Sequence, residues 1–131
     1  MRELEVKSSR RNEMIDVTSK IKSALDEENL ENGLLIAYVP HTTAAITINE
    51  GADPDVQKDM IKKLESLIPE RENYAHSEGN SDAHIKASFL GSSVNVIVKD
   101  GKMVLGTWQH IFFYEGDGPR SRKVYVEFIK K

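Results

Sequence analysis

Turn-forming residues divide this 131-residue chain into short segments, most of which alternate or run apolar in the manner of β-strands. Pro40 interrupts one apolar stretch, Asp100-Gly101 is a hairpin signal, and a Gly-Asp-Gly-Pro segment ends at Pro119. The predicted strands are residues 2–8, 34–39, 44–49, 94–99, 103 onward, 108–114 and 124–129. The spacing of the last four predicts an antiparallel meander in the C-terminal third.

Helical periodicity is strongest after Asp53-Pro54, a capping residue followed by a proline suited to the first helical position. Apolar residues then recur near every 3.6 positions up to Pro69, at Val56, Met60, Leu64 and Leu67. Two further helices are predicted, one from a cap at Asp16–Thr18 to Gly33 and one from a cap at Ser81 to Gly91. Residues 70–80 lack a period and predict a loop. Because strands and helices are segregated rather than alternating, we expect a single α+β domain over residues 1–131.

Composition restricts the function classes. The chain has no cysteine, so a metal site must use nitrogen and oxygen ligands, and a reducing, cytoplasmic location is favoured. No segment approaches the roughly 20 apolar residues that a membrane span needs. The 18 basic and 21 acidic residues are interleaved and give a net charge of −3. We therefore expect neither a membrane nor nucleic acid as a partner.

Three histidines fall where the chain is predicted to bend or to begin a helix: His41, His76 and His84. Imidazole nitrogens on loops and element ends of a rigid scaffold are able to converge on one divalent ion. Zinc suits such ligands best, and magnesium is an alternative if the substrate carries a diphosphate. The competing interpretation is three unrelated surface histidines, because the spacing of His76 and His84 matches no recognised zinc motif.

Several polar residues are candidates for anion binding or proton transfer. Ser81, at a predicted helix start, lies beside backbone amides that bind phosphate, and Arg120 on its turn suits a bidentate phosphate contact. Lys86 is a second cation for the same ligand. Glu50 and Asp82, with Arg120, are the candidate catalytic residues, and Glu50, Glu78 or Asp82 could complete the metal shell or orient an imidazole ligand. Each also has a structural interpretation, as a helix cap or an ordinary turn residue.

The predicted strand 108–114 has bulky side chains on both faces. Trp108, His110, Phe112 and Tyr114 share one face, and Gln109, Ile111, Phe113 and Glu115 share the other. Such a strand is either central in a sandwich or pressed against another subunit, which favours a homo-oligomer. Trp108 and Asn49 are candidate substrate contacts, although a tryptophan is more often a core residue and Asn49 fits an ordinary turn.

Four motifs, in order and spread over nearly the whole chain, resemble those of the YjbQ family of small proteins. The motifs are His41-Thr-Thr-Ala-Ala-Ile-Thr-Ile-Asn49-Glu50 with Asp53-Pro54-Asp55, Ser81-Asp82-Ala-His84-Ile-Lys86-Ala, Leu105-Gly-Thr-Trp108-Gln109 and Asp117-Gly-Pro-Arg120. The resemblance implies a trimeric α+β protein with a β-sandwich core and a metal near the histidines. It also implies a secondary thiamine-phosphate synthase activity, which joins an aminopyrimidine methyl diphosphate to a thiazole phosphate and releases pyrophosphate.

Three function classes follow from these residues. The first is a metal-assisted enzyme acting on phosphorylated small molecules, with thiamine-phosphate synthesis as the reaction that the resemblance implies. The second is a metal-dependent hydrolase, because a water bound to a histidine-held ion is a nucleophile near neutral pH. The third is a non-catalytic trimer that binds a phosphorylated metabolite.

Overall fold

The computed structural model describes residues 1–131 and arranges eight strands in two antiparallel sheets. The larger sheet contains, in spatial order, β1 (Arg2–Lys7), β8 (Ser121–Lys130), β3 (Gly33–Tyr38), β5 (Ser93–Lys99) and β6 (Lys102–Met103). The smaller sheet contains β2 (Glu13–Asp16), β7 (Gln109–Glu115) and β4 (Ala44–Glu50). The helices are α1 (Thr18–Glu28), α2 (Pro54–Leu67) and α3 (Ser81–Leu90). The α+β fold class is confirmed.

The main core lies between the two sheets and is closed by α1. Alternate residues of each strand point inward, as the period of two requires. Leu35, Val96 and Val126 come from the larger sheet, and Ile46 and Phe113 from the smaller one, all almost completely buried. Burying side chains of this size contributes about 1.5–3 kcal/mol each, so the stability of the fold comes chiefly from this layer.

A second, smaller apolar cluster covers the opposite face of the smaller sheet. Ala45 and Tyr114 pack there against Ala87 of α3 and Leu64 of α2. Both faces of β7 are therefore buried within one chain, because the main core takes Ile111 and its neighbours while the helices cover Tyr114. β7 is thus the central strand of its sheet, the first of the two predicted alternatives, and its bulk does not require a second subunit.

Two helix boundaries differ from the predicted ones. α1 ends at Glu28 because Asn29 adopts a left-handed conformation with φ 55° and terminates it, whereas Gly33 is the first residue of β3. Asparagine tolerates this conformation better than most residues. The cap position of α3 is Asn80 rather than Ser81. None of the three helices combines the length and the apolar character that crossing a bilayer requires.

The predicted helix over residues 54–67 is confirmed, and the side chain of Asp53 caps it by accepting a hydrogen bond from the amide of Asp55 at 3.0 Å. The prediction did not include β2, whose four residues are too few to show a period.

The C-terminal third is not a meander. β5 and β6 form the predicted hairpin, but β7 pairs with β2 and β4 while β8 pairs with β1 and β3 in the other sheet. The connection through Gly116–Pro119 crosses between the sheets. Gly118 lies so close to Arg10 there that a β-carbon would come within 2.2 Å of the Arg10 carbonyl oxygen. A larger residue would push the crossing apart.

Candidate functional site

A polar cleft of about 620 Å³ lies where the start of β4, the end of β7 and the start of α3 meet. Ala44 at the start of β4 pairs with Glu115 at the end of β7, so this pair marks the end of the smaller sheet at which the cleft lies. The cleft is lined by Pro40, His41, Thr42, Thr43, Glu78, Asn80, His84, Asp117, Arg120 and Arg122. All of these except the proline have polar or charged side chains. The surface therefore suits a polar ligand.

A buried ion pair joins the two sheets beneath the cleft. Arg122 of β8 donates through Nε to Glu115 Oε1 of β7 at 2.9 Å and through Nη2 to Thr43 Oγ1 at 2.8 Å. Both charged side chains are at most 4% exposed. Burial alone would raise the pKa of Glu115, but hydrogen bonds from Arg122, from the amide of Asp117 and from Ser8 outweigh it and hold that pKa below its usual value. Glu115 is therefore an anion that holds Arg122 in place.

A second buried network lies under the start of α3. Asp82 accepts from Arg11 Nη2 at 2.8 Å and from Lys86 Nζ at 2.9 Å, and both Asp82 and Lys86 are completely buried. The pair is one helical turn apart, the spacing at which side chains on a helix meet. Asp82 and Lys86 do not fit their predicted roles as catalytic acid and phosphate ligand, because neither side chain reaches the cleft.

Arg120 lies at the edge of the cleft, as the sequence predicts. Its side chain is half exposed, and Nε donates to the carbonyl oxygen of Asp117 at 2.9 Å while Nη2 donates to Asp117 Oδ2 at 3.1 Å. Asp117 is itself fixed by Arg11 and by the side-chain amide of Asn80. The guanidinium is therefore held in one orientation before any ligand arrives.

The three histidines lie near one another but do not form one group of ligands. His41 and His84 both line the cleft, and the rings of His84 and His76 meet edge to face with centroids 5.6 Å apart. His76 Nε2 is 3.8 Å from Glu78 Oε2. His41 Nε2 accepts a hydrogen bond from the backbone amide of Lys123 at 2.9 Å. The chain contains no cluster of three or more His, Asp or Glu side chains positioned to hold a metal ion.

The charge state of His41 follows from its surroundings. Burial lowers the pKa of His41, and the positive charge of Arg122 lowers it further. His41 is therefore a neutral imidazole near pH 7.

An apolar groove adjoins the cleft on the other side of His84. It has a volume of about 450 Å³ and is lined by Tyr74, Ala75, His76, Ser81, His84 and Ile85. The hydroxyl of Tyr74 donates to the carbonyl oxygen of Pro69 at 2.6 Å, which fixes the position of the ring. Ser81 thus faces this groove rather than the cleft. A ligand that contacts His84 meets polar groups on one side and apolar groups on the other.

Three predicted site residues lie at the opposite end of the smaller sheet. Glu50 is the last residue of β4 and pairs with Gln109, six positions from the Ala44 end, so it is about 20 Å from the cleft at the usual strand rise. Glu50 Oε2 accepts from the amide of Ala52 at 2.8 Å in an ordinary turn. Asn49 precedes it, and Trp108 is 62% exposed in the turn before β7. The structure does not bring Glu50, Asn49 or Trp108 to the cleft.

Sequence reasoning missed several residues of this site: Arg11, Thr43, Tyr74, Asn80 and Arg122. A signal for Arg122 exists, since it occupies an inward position of β8 in register with Val124 and Val126. A charged residue at an inward position needs a buried partner, and Glu115 holds the matching position on β7.

The comparisons with known proteins agree with this architecture. A family model described as UPF0047 protein YjbQ-like matches residues 2–131. The chain belongs to this family. The UPF0047 protein YugU of Bacillus subtilis is 47% identical over 130 residues, and the match covers 98% of each chain. A UPF0047 protein of Methanocaldococcus jannaschii is 54% identical over 125 residues, which is 95% of this chain and 91% of that protein.

Solved structures of similar proteins show the same fold. A crystal structure of a YjbQ/UPF0047 family protein from Clostridium acetobutylicum has a TM-score of 0.97 and 50% identity, and covers 98% of this chain and 100% of its own. A hypothetical protein from Aeropyrum pernix has a TM-score of 0.95 at 37% identity, and the match covers 99% of this chain and 98% of that protein. Family membership identifies the fold and not the reaction.

Proposed function

We propose that the protein is an enzyme acting on phosphorylated small molecules, whose phosphate groups bind in the polar cleft. The observation that carries this proposal is the convergence of Arg120, Arg122, His41 and His84 on a cleft in which every lining side chain except that of Pro40 is polar or charged. Guanidinium and imidazole N–H groups match phosphate oxygens in charge and geometry. Asp117 and Glu115 hold the two arginines in place, and such preorganised donors stabilise developing negative charge.

The adjacent groove supports a ligand that also has a flat apolar part. Tyr74 and Ile85 offer apolar surface on the far side of His84 from the phosphate donors. Both substrates of the thiamine-phosphate synthase reaction combine a flat heterocycle with phosphate groups. In that reaction the bond from the methylene carbon to the diphosphate oxygen breaks, the carbon bonds to the thiazole ring, and pyrophosphate leaves with the electron pair. Of the predicted catalytic residues, Arg120 alone lies where it would stabilise the departing pyrophosphate.

A divalent metal ion, zinc or magnesium, stays a prediction. Within one chain the three predicted ligands do not fit one ion, because no group of three is formed and His41 Nε2 already accepts a backbone hydrogen bond. The proposal therefore assigns phosphate binding to the N–H donors of the chain. Elemental analysis of the purified protein, followed by titration with zinc and with magnesium, tests the metal separately.

The first experiment measures phosphate binding. Calorimetric titration with inorganic pyrophosphate is expected to show one class of site, and Arg120→Ala to weaken it about tenfold or more, the loss of one charged hydrogen bond. Arg2→Ala is the matched control, because Arg2 pairs with Glu27 and Glu28 outside the cleft. Equal affinities for the wild type and Arg120→Ala would reject the assignment of the cleft.

The second experiment identifies the reaction. The protein is incubated with the aminopyrimidine methyl diphosphate and the thiazole phosphate, alone and together, and the products are separated by chromatography. A joined product that forms only when both are present supports the synthase. Release of phosphate or pyrophosphate from one substrate alone supports a hydrolase instead, and binding without turnover supports a metabolite-binding protein.

We also propose a homotrimer in the cytoplasm. The outer face of the larger sheet supports an assembly, because Ile97, Ile129 and Tyr38 are between 45% and 61% exposed there, and exposed apolar surface of this kind is typical of interfaces. Light scattering on the wild type is expected to give three times the chain mass of 14.8 kDa. Ile97→Lys is expected to lower that mass. A monomeric wild type would contradict the proposal.

A further inference from the structure

We infer that His41 serves the cleft as a hydrogen-bond donor through Nδ1 and is not a metal ligand. The inference rests on the proposed phosphate site and assigns one of its groups. His41 Nε2 lies 2.9 Å from the backbone nitrogen of Lys123, which is a donor only. Nε2 must therefore present its lone pair. A neutral imidazole has one N–H group, so that proton is on Nδ1.

This arrangement is the reverse of that of a metal-ligating histidine. Such a residue gives one nitrogen lone pair to the metal and donates the other N–H to a carboxylate, a carbonyl or water. In His41 the nitrogen that would have to donate is Nε2, and it faces the N–H donor of Lys123 instead of an acceptor. A metal on Nδ1 would then require a ring without either proton, since Nε2 is already an acceptor. The backbone of β8 thus excludes His41 from the ligand set in this conformation.

A doubly protonated ring does not fit either. It would direct an Nε2–H group at the Lys123 N–H group, and two donors repel at this distance. The Arg122 guanidinium, which lines the same cleft as His41, also opposes a second positive charge nearby. The neutral form with its proton on Nδ1 is the one state that satisfies both neighbours.

The Nδ1–H group is free for a ligand. No protein atom accepts a hydrogen bond from it, and it is not among the buried polar atoms that lack a partner, so solvent reaches it. The ring lines the cleft together with Arg120 and Arg122. A phosphate oxygen held by these arginines is the natural acceptor. His76 and His84 differ from His41, because neither ring accepts a hydrogen bond from a backbone amide.

Two amide variants separate the two ring nitrogens. In His41→Asn the side-chain amide occupies the position of Nδ1 and retains a donor there, whereas in His41→Gln it reaches the position of Nε2 and retains the acceptor for Lys123. We expect His41→Asn to bind inorganic pyrophosphate within about threefold of the wild type and His41→Gln to bind about tenfold more weakly. Zinc titration is expected to give the same affinity for all three proteins. Loss of zinc binding in both variants, or retention of pyrophosphate affinity by His41→Gln alone, would overturn the inference.

Imidazole nitrogen NMR on the unmodified, ¹⁵N-labelled protein provides a test that does not depend on how the variants fold. The His41 signals are expected to show a protonated Nδ1 and an unprotonated Nε2, with no change on adding zinc. The opposite tautomer, or a zinc-induced shift of these signals, would refute the assignment. If the wild type fails to bind pyrophosphate, the proposed function falls while the spectrum still decides the tautomer and metal ligation.

Discussion

The surroundings of the two ends of the smaller sheet contain similar residue types but hold them differently. At the cleft end, Glu115, Arg122 and Asp82 are almost completely buried and joined through several hydrogen bonds each. At the other end, His110 Nδ1 contacts Asp16 Oδ2, and both side chains are more than a third exposed. Both ends contain acids and a histidine, and only the cleft end removes its charges from water.

The difference indicates where the chain is under a functional requirement. Removing an ion from water costs several kcal/mol even after relaxation, and a buried pair seldom contributes more than well-packed apolar residues would. An exposed pair costs and contributes little. The buried charges beneath the cleft are therefore poorly explained by stability alone, whereas their effect on the orientation of Arg120 and Arg122 matches what anion binding needs.

Breaking the buried pair between the sheets should have the largest effect. Arg122→Met leaves Glu115 buried without its main partner, and we expect the free energy of unfolding to fall by about 3–5 kcal/mol. Urea denaturation followed by circular dichroism measures this. The double variant Arg122→Met with Glu115→Gln removes both charges and should recover part of the loss. A single variant that loses less than about 1 kcal/mol would show that the pair is no more important than a surface pair.

Lys86 allows the cleft and the network beneath it to be separated. In Lys86→Met, Asp82 loses one of its two charged partners and keeps Arg11, so we expect a loss of about 1–3 kcal/mol in unfolding free energy. Pyrophosphate affinity should stay at the wild-type value, because Lys86 does not reach the cleft. Weaker pyrophosphate binding by a fully folded variant would restore the role that the sequence predicts for this lysine.

The sequence predicted local elements well and their pairing poorly. The helix between Pro54 and Pro69 was found because two prolines and a 3.6-residue period are local signals. The predicted meander was wrong because turn residues indicate where the chain reverses direction. They do not indicate which strand the next segment pairs with. β7 and β8 are consecutive in the chain, yet they belong to different sheets.

The same limit applies to the site. His41, His84 and Arg120 were predicted from motifs and do line one cleft. Lys86 was misassigned because sequence gives a charge but not its burial. Glu50 lies in the same motif as His41, yet an extended strand carries it away from the cleft. Residues of one motif stay close in space when they lie on one turn of a helix, whereas an extended β-strand separates them.

Acid should destabilise the cleft end in two stages. Between its lowered folded pKa and its ordinary value of 6.5, His41 binds more protons in the unfolded chain. The contribution of His41 to the free energy of unfolding is therefore complete above pH 6.5 and lost as the pH falls through the folded pKa. The pKa of Glu115 is lowered from 4.5, so its contribution is complete above that pH and lost below it. Urea unfolding from pH 8 to pH 2 measures both stages, and His41→Asn should lack the first one. Unchanged stability of the wild type between pH 7 and pH 5 would contradict the lowered pKa of His41.

The exposed pair at the far end should have the smallest effect. Asp16→Asn removes the charge that faces His110. It retains Oδ1, which accepts from the amide of Thr18 at the start of α1, so the change reports the contact with His110 alone. We expect a loss of at most about 1 kcal/mol in unfolding free energy and unchanged pyrophosphate affinity. Urea denaturation and calorimetry on the same preparation give both values. A loss of unfolding free energy as large as that of Arg122→Met would abolish the contrast between the two ends. Weaker pyrophosphate binding would also contradict it, because the ligand would then contact a residue about 20 Å from the cleft, at the other end of continuous strands.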